Sequence, residues 1–161
     1  MIRPATPLDS SSICLIYNHY VVNTHATFEE SPVSPEEMSM RIKKVLADGL
    51  PWLILEEDDQ IIGFDRAVKW RDRSAYRYSV ESSIYIAPAC TGRGLGARLY
   101  VALLSQLRAL GAHAVMAGSA LPNPASLALH HKFGYKKVAR FMEVGWKFNR
   151  WIDVEYWELL I

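Results

Sequence analysis

Three features of this sequence have the residue types and spacing for chemistry. Glu81 stands in the middle of "YSVESSIYI", a β-branched and aromatic run where a carboxylate is costly to bury without a partner. Strand alternation there puts Ser79, Glu81, Ser83 and Tyr85 on one face and Val80, Ser82, Ile84 and Ile86 on the other. A few residues on, "IYIAPACTGRGLGARLYVALL" passes from a strand-like segment through Gly92, Gly94 and Gly96 into a leucine-rich one. Strand, glycine turn and helix start in that order make an anion cradle, with backbone N–H groups pointing outward and the helix dipole favouring negative charge. The third feature is "NPASLALHHKFGY", whose helical spacing puts Asn123, Ser126 and His130 on one stripe.

The cradle fits two anions. Read as G-x-G-x-x-A at Gly92, Gly94 and Ala97, it is a weak dinucleotide fingerprint, which requires an acidic residue about 20 positions further on for the ribose. No Asp or Glu occurs from Ala97 to Met142, whereas Arg98, Arg108, Lys132, Lys136, Lys137 and Arg140 do. A coenzyme A pyrophosphate on the amides of Gly92, Arg93, Gly94, Leu95, Gly96 and Ala97 fits better, with basic residues nearby for a further phosphate. The same basic stretch also reads as a solvated face. No G-x-S-x-G, P-loop or H-E-x-x-H is present, and the five histidines lack metal spacing, so no metal is expected.

The elements that position these residues are legible in the punctuation. Thr6-Pro7-Leu8-Asp9, Ser34-Pro35-Glu36-Glu37 and Asn123-Pro124-Ala125-Ser126 each put an N-cap before a proline at the first helical position. Helices are predicted near 7–23, 35–48, 95–110 and 124–133, with Leu95, Leu99, Leu103, Leu107 and Leu110 on one face of the third. Strands are predicted at "WLILEE", "QIIGFDRAVKW", "YRYSVESSIYI", "AVMAG", "KKVARFMEVGW" and "VEYWELLI". The order is β, two helices, a three-strand meander, α, β, α and two closing strands. This predicts an α/β fold with a mixed central sheet flanked by helices, as a single domain over 1–161. A net charge of +1 argues against nucleic acid as the main partner. No apolar run reaches the length of about 20 that a membrane span needs, and no signal peptide opens the chain. With two separate cysteines, the expectation is a soluble cytoplasmic protein.

"IRPAT", "IYNHYV", "THATFEE", "GLPWLI", "WRDRSAYRYSVESSIYI", "GRGLGARL", "NPASLALHHKFGY" and "EVGWKFNRWIDVEYW" together resemble a phosphinothricin acetyltransferase-type member of the GNAT superfamily, from Ile2 to Leu160. The glycine loop is common to the superfamily; "THATFEE" and "WRDRSAYRYSVE" are specific to this branch. The resemblance implies acetyl-CoA as co-substrate, without a metal. It implies direct transfer to the α-amine of a small amino-acid-like acceptor such as phosphinothricin, methionine sulfoximine or methionine sulfone. Transfer to another amine such as a peptide N-terminus, and coenzyme A binding without catalysis, are the alternatives. Glu81, otherwise readable as an ion-pair partner of Arg77, becomes the matching base. His130, otherwise readable as a satisfied histidine, takes the place of the superfamily's tyrosine acid, five residues before Tyr135; His131 has no such role. Ile84, Tyr85 and Ile86 lie along the pantetheine arm, with the Ile86 amide available to the thioester oxygen, and Asn123 joins the cofactor set. Arg71, Asp72, Arg73 and Arg77 form the acceptor loop, with His130 beside the acceptor and Phe28 as a pocket wall. Two positions depart from the family pattern: Thr91 stands where R/Q-x-x-G-x-G opens with a longer polar side chain, and Asp65-Arg66 replaces small or apolar residues. Three tryptophans and a tyrosine in the closing hairpin predict a homodimer.

Overall fold

A computed structural model describes residues 1–161. The elements are β1 (Ile2–Pro4), α1 (Ser10–Asn23), α2 (Pro35–Ala47), β2 (Trp52–Glu57), β3 (Gln60–Lys69), β4 (Ser79–Ile86), α3 (Leu95–Ala109), β5 (Ala114–Ala120), α4 (Pro124–Lys132), β6 (Lys136–Lys147) and β7 (Arg150–Leu160). They follow the predicted order. The strands form one sheet, β1-β2-β3-β4-β5-β7-β6, antiparallel except for the β4–β5 pair.

The proline-led caps act as their sequences imply. Ser34 Oγ accepts from the Glu37 amide at 3.2 Å and Asn123 Oδ1 from the Ser126 amide at 3.1 Å. At Thr6 the side chain of Asp9 takes the Thr6 amide, and a 3₁₀ turn over Pro7–Asp9 leads into α1. The two sheet faces are covered separately. On one, α1 and α2 pack Ile13, Tyr17, Met38 and Ile42 against Trp52, Ile54 and Phe64. On the other, α3 sets Leu95, Leu99, Leu103 and Leu107 against Val80, Val115 and Trp157. Leu110 is not part of that stripe; it caps the helix end and is exposed.

Two strand starts differ from expectation, and β5 runs on to Ala120, two residues past the predicted "AVMAG". The fourth strand starts at Ser79, because Ser74–Tyr76 form a 3₁₀ turn closed by the Arg77 amide on the Ser74 carbonyl. The last strand starts at Arg150 instead of Val154. Phe148 and Asn149, both at positive φ (51° and 59°), make a two-residue hairpin turn that lets β7 pair from its first residue.

Candidate functional site

The site is made by a split in the sheet. Parallel pairing of β4 and β5 ends at Glu81↔Met116; beyond it β4 continues against β3 and β5 against β7. The Ala87 amide bonds to the Ile62 carbonyl, so by antiparallel alternation the odd-numbered residues of β4 bond to β3. The amides of Ile84 and Ile86 therefore point into the gap. A cavity of about 420 Å³ fills it, lined by Ile84, Tyr85, Ile86, Gly92, Gly94, Leu95, Gly96, Ala97, Asn123 and His130. The Tyr85 ring itself packs into an aromatic cluster, edge-on to Tyr17 and stacked on Phe64.

The glycine loop needs its glycines for conformation. Gly92 and Gly94 have φ of 77° and 75°, and a Cβ on either would touch nothing within 4 Å. Gly94 caps α3, whose first turn carries no carboxylate, so its free amides face the cavity with no anion of the protein's own competing there. Arg93 does not line the cavity. Its guanidinium bonds Glu57 Oε2 at 2.7 Å, with Arg98 reaching the other oxygen of the same carboxylate at 3.4 Å. Thr91 lines the cavity, and its hydroxyl donates to the Pro88 carbonyl at 3.1 Å.

A second cavity, of about 600 Å³, opens on the other side of the split. Glu81, Arg71 and Phe28 line it, as do Trp70, Met116, Tyr156 and Glu158. Gly118 and Ala26 line both cavities. A Cβ on Gly118 would lie 3.5 Å from Glu81 Oε1 and 3.3 Å from Tyr156 Cζ, so a glycine there keeps the junction open beside the carboxylate. Burial raises the pKa of Glu81, while the Tyr156 hydroxyl and the charges of Arg71 and Arg66 pull it partly back. Phe28 lies flat on β6, where a Cβ on Gly145 would overlap its Cζ. The loop carrying Phe28 is strapped down by Lys147. Its buried ammonium donates to the Val21 carbonyl at 2.7 Å and the Thr27 carbonyl at 2.8 Å, and burial lowers its pKa.

His130 is only 3% exposed, among the rings of Tyr135, Trp157 and Tyr100, and its Nδ1 has no hydrogen-bond partner. Burial pushes its pKa down to about 4, so the imidazole is neutral at pH 7. His131 packs edge-on to Trp157 instead. Of the acceptor loop, only Arg71 lines the second cavity, with its guanidinium 4.6 Å from the Trp70 ring centre. Asp72, Arg73 and Arg77 are exposed and outside it; Arg77 lies over Tyr78 and donates to the Ser74 carbonyl. Sequence reasoning missed Gly118, Tyr156 and Glu158. Alternation along "VEYWELLI" pairs Tyr156 with Glu158 on one face, but nothing local in the sequence says that this face borders Glu81.

The chain matches the acetyltransferase (GNAT) domain model over residues 2–156 and belongs to that family. It is 38% identical to a phosphinothricin N-acetyltransferase of Streptomyces coelicolor, across 98% of this chain and 94% of that protein. It is 35% identical to an L-methionine sulfoximine/L-methionine sulfone acetyltransferase of Salmonella typhimurium, across 98% and 92%. In structure it is similar to a GNAT superfamily phosphinothricin acetyltransferase of Sinorhizobium meliloti in complex with acetyl-CoA. The TM-score is 0.96 at 34% identity, covering 100% of this chain and 88% of the other.

Proposed function

We propose that this enzyme transfers acetyl from acetyl-CoA directly to the α-amine of a small amino-acid-like acceptor, of the phosphinothricin, methionine sulfoximine or methionine sulfone type. The observation that carries the reading is the meeting of the two cavities at Gly118, with Glu81 at their junction. A donor lying along Ile84–Ile86 and an acceptor held beside Arg71 then meet without a covalent enzyme intermediate. Holding both reactants in this way removes the entropy of a bimolecular encounter, up to about 7–11 kcal/mol of the barrier.

In this reading the pyrophosphate rests on the amides from Gly92 to Ala97, and the thioester oxygen takes the N–H groups of the gap, where negative charge develops. Glu81 accepts a proton from the acceptor's ammonium; its raised pKa brings it nearer to the amine it must deprotonate. The free amine attacks the thioester carbon, and collapse of the tetrahedral intermediate breaks the C–S bond. His130, neutral in the resting enzyme, takes the nitrogen's second proton at Nε2, the ring nitrogen that is not buried, and returns it to the leaving thiolate. Arg71 pairs with the acceptor's carboxylate.

The same reading makes the enzyme a cytoplasmic homodimer. Trp146, Phe148 and Trp151 stand exposed at the closing hairpin's turn, apolar surface that a second copy would cover. The two cysteines are unpaired, and no helix is long and apolar enough to cross a membrane. An acetyl-CoA turnover assay with a thiol reagent, run across amino-acid analogues, tests the transfer; a dimeric mass in light scattering at micromolar concentration tests the assembly. Failure to acetylate any amino acid, or a monomeric mass, counts against the respective part.

A further inference from the structure

We infer that the acceptor cavity selects an amino acid whose side chain is uncharged and largely apolar, and that Glu158 is the residue excluding a second anionic group. The inference rests on the acetyl-transfer reading above and narrows its acceptor class.

The charges lining the second cavity are Arg71, Glu81 and Glu158: one cation and two carboxylates. A bound amino acid uses two of the three, its ammonium facing Glu81 and its carboxylate facing Arg71. What remains for the side chain is Glu158 and a wall of Phe28, Val138, Phe141, Val144 and Val154. Glu158 has no ion-pair partner to cancel its charge. Two cations of β6 are engaged elsewhere, Lys137 with Glu155 and Arg140 with Asp153. Lys136 lies opposite Glu158 in register without forming a bridge. Of the other arginines, Arg73 and Arg77 stand outside the cavity, and Arg66, whose charge reaches Glu81 from β3, lies over the Trp52 ring and does not line it.

An acceptor with a phosphinate at the end of its side chain therefore loses water from an anion, meets no second guanidinium and faces a like charge. A thioether or an aliphatic chain loses no polar hydration against that wall, and a sulfone, although its oxygens lose water, carries no net charge for Glu158 to repel.

The test compares kcat/KM of the wild-type enzyme for L-methionine sulfone, L-methionine, L-leucine and L-phosphinothricin, and repeats the comparison with Glu158→Gln. The wild type is expected to favour the best neutral acceptor over phosphinothricin by at least tenfold. Glu158→Gln is expected to raise the phosphinothricin-to-sulfone ratio of kcat/KM about tenfold, a selective change that a merely structural role would not produce. Phosphinothricin equal to or better than every neutral acceptor overturns the inference, as does a Glu158→Gln variant with an unchanged ratio. If no amino acid is acetylated at all, the acetyl-transfer reading falls with it; if phosphinothricin leads, the selectivity falls alone.

Discussion

Replacing Asp65 by asparagine removes the least comfortable group in the protein while keeping its size. The Asp65 side chain is 0% exposed, neither carboxylate oxygen has a hydrogen-bond partner, and burial raises its pKa well above the usual 3.8. Alternation along β3 puts it on the α3 side of the sheet, where Gly63 would meet Leu99 and Ala67 joins the core. In the folded chain it holds a proton that the unfolded chain releases near pH 4. Stability from this group is therefore fully present below the unfolded pKa and is lost as pH rises towards the folded one. Within that window the loss is about 1.4 kcal/mol per pH unit. An asparagine does not titrate, so the variant's advantage over wild type should grow by about 1.4 kcal/mol between pH 4.5 and 5.5. For a chain of this size that is roughly 3–6 °C in midpoint. His130, whose lowered pKa works in the opposite direction over acidic pH, is present in both proteins and cancels in the difference. Thermal unfolding of the two proteins side by side at those pH values is the assay. A constant difference across the range would refute the reasoning, because Asp65 would then be ionised in the fold.

Three other perturbations separate the parts of the site. Gly94→Glu puts a like charge on the phosphate cradle in open space, so acetyl-CoA affinity by calorimetry should fall beyond detection. The fold should survive the left-handed strain of about 1–2 kcal/mol, as circular dichroism would show. Thr91→Arg adds a cation at the loop's entrance and should lower the acetyl-CoA KM at low salt, an advantage that shrinks as salt is added. Lys147→Met leaves the Val21 and Thr27 carbonyls without their buried donor, at about 1–3 kcal/mol of stability. With the Phe28 wall loosened, the acceptor KM should rise several-fold in steady-state kinetics while the acetyl-CoA KM holds, and Lys147→Arg should restore part of the loss.

What was legible in the sequence is what short-range rules control. Caps at Ser34 and Asn123, the leucine stripe of α3 and the left-handed glycines of the loop all follow from local conformation, and with them the order of elements. The alternation that put Glu81 and Tyr85 on one face and Ile84 and Ile86 on the other also matches the packing. Long-range juxtaposition was not legible. Tyr156 and Glu158 reach the acceptor cavity only because β7 inserts between β5 and β6, and Gly118 acquires its place only because β4 and β5 part after Glu81. The resemblance implies Arg71, Asp72, Arg73 and Arg77 together as the acceptor loop, but beside the 3₁₀ turn at Ser74–Tyr76 only Arg71 lines the cavity, while Asp72, Arg73 and Arg77 face solvent.

The central claim is that Glu81 takes the acceptor's proton at the junction of the two cavities, and the pH dependence of Glu81→Gln tests it most directly. Glutamine keeps the shape and the neighbouring Tyr156 hydroxyl but cannot accept the proton. The expected result is a kcat lower by about 10²–10⁴-fold, an acetyl-CoA KM near wild type, and loss of the acidic limb of kcat/KM. In the wild type that limb should lie above the ordinary carboxylate range, because burial raises the pKa of Glu81. A folded Glu81→Gln enzyme with full kcat and an unaltered acidic limb would contradict the claim and leave His130 as the base.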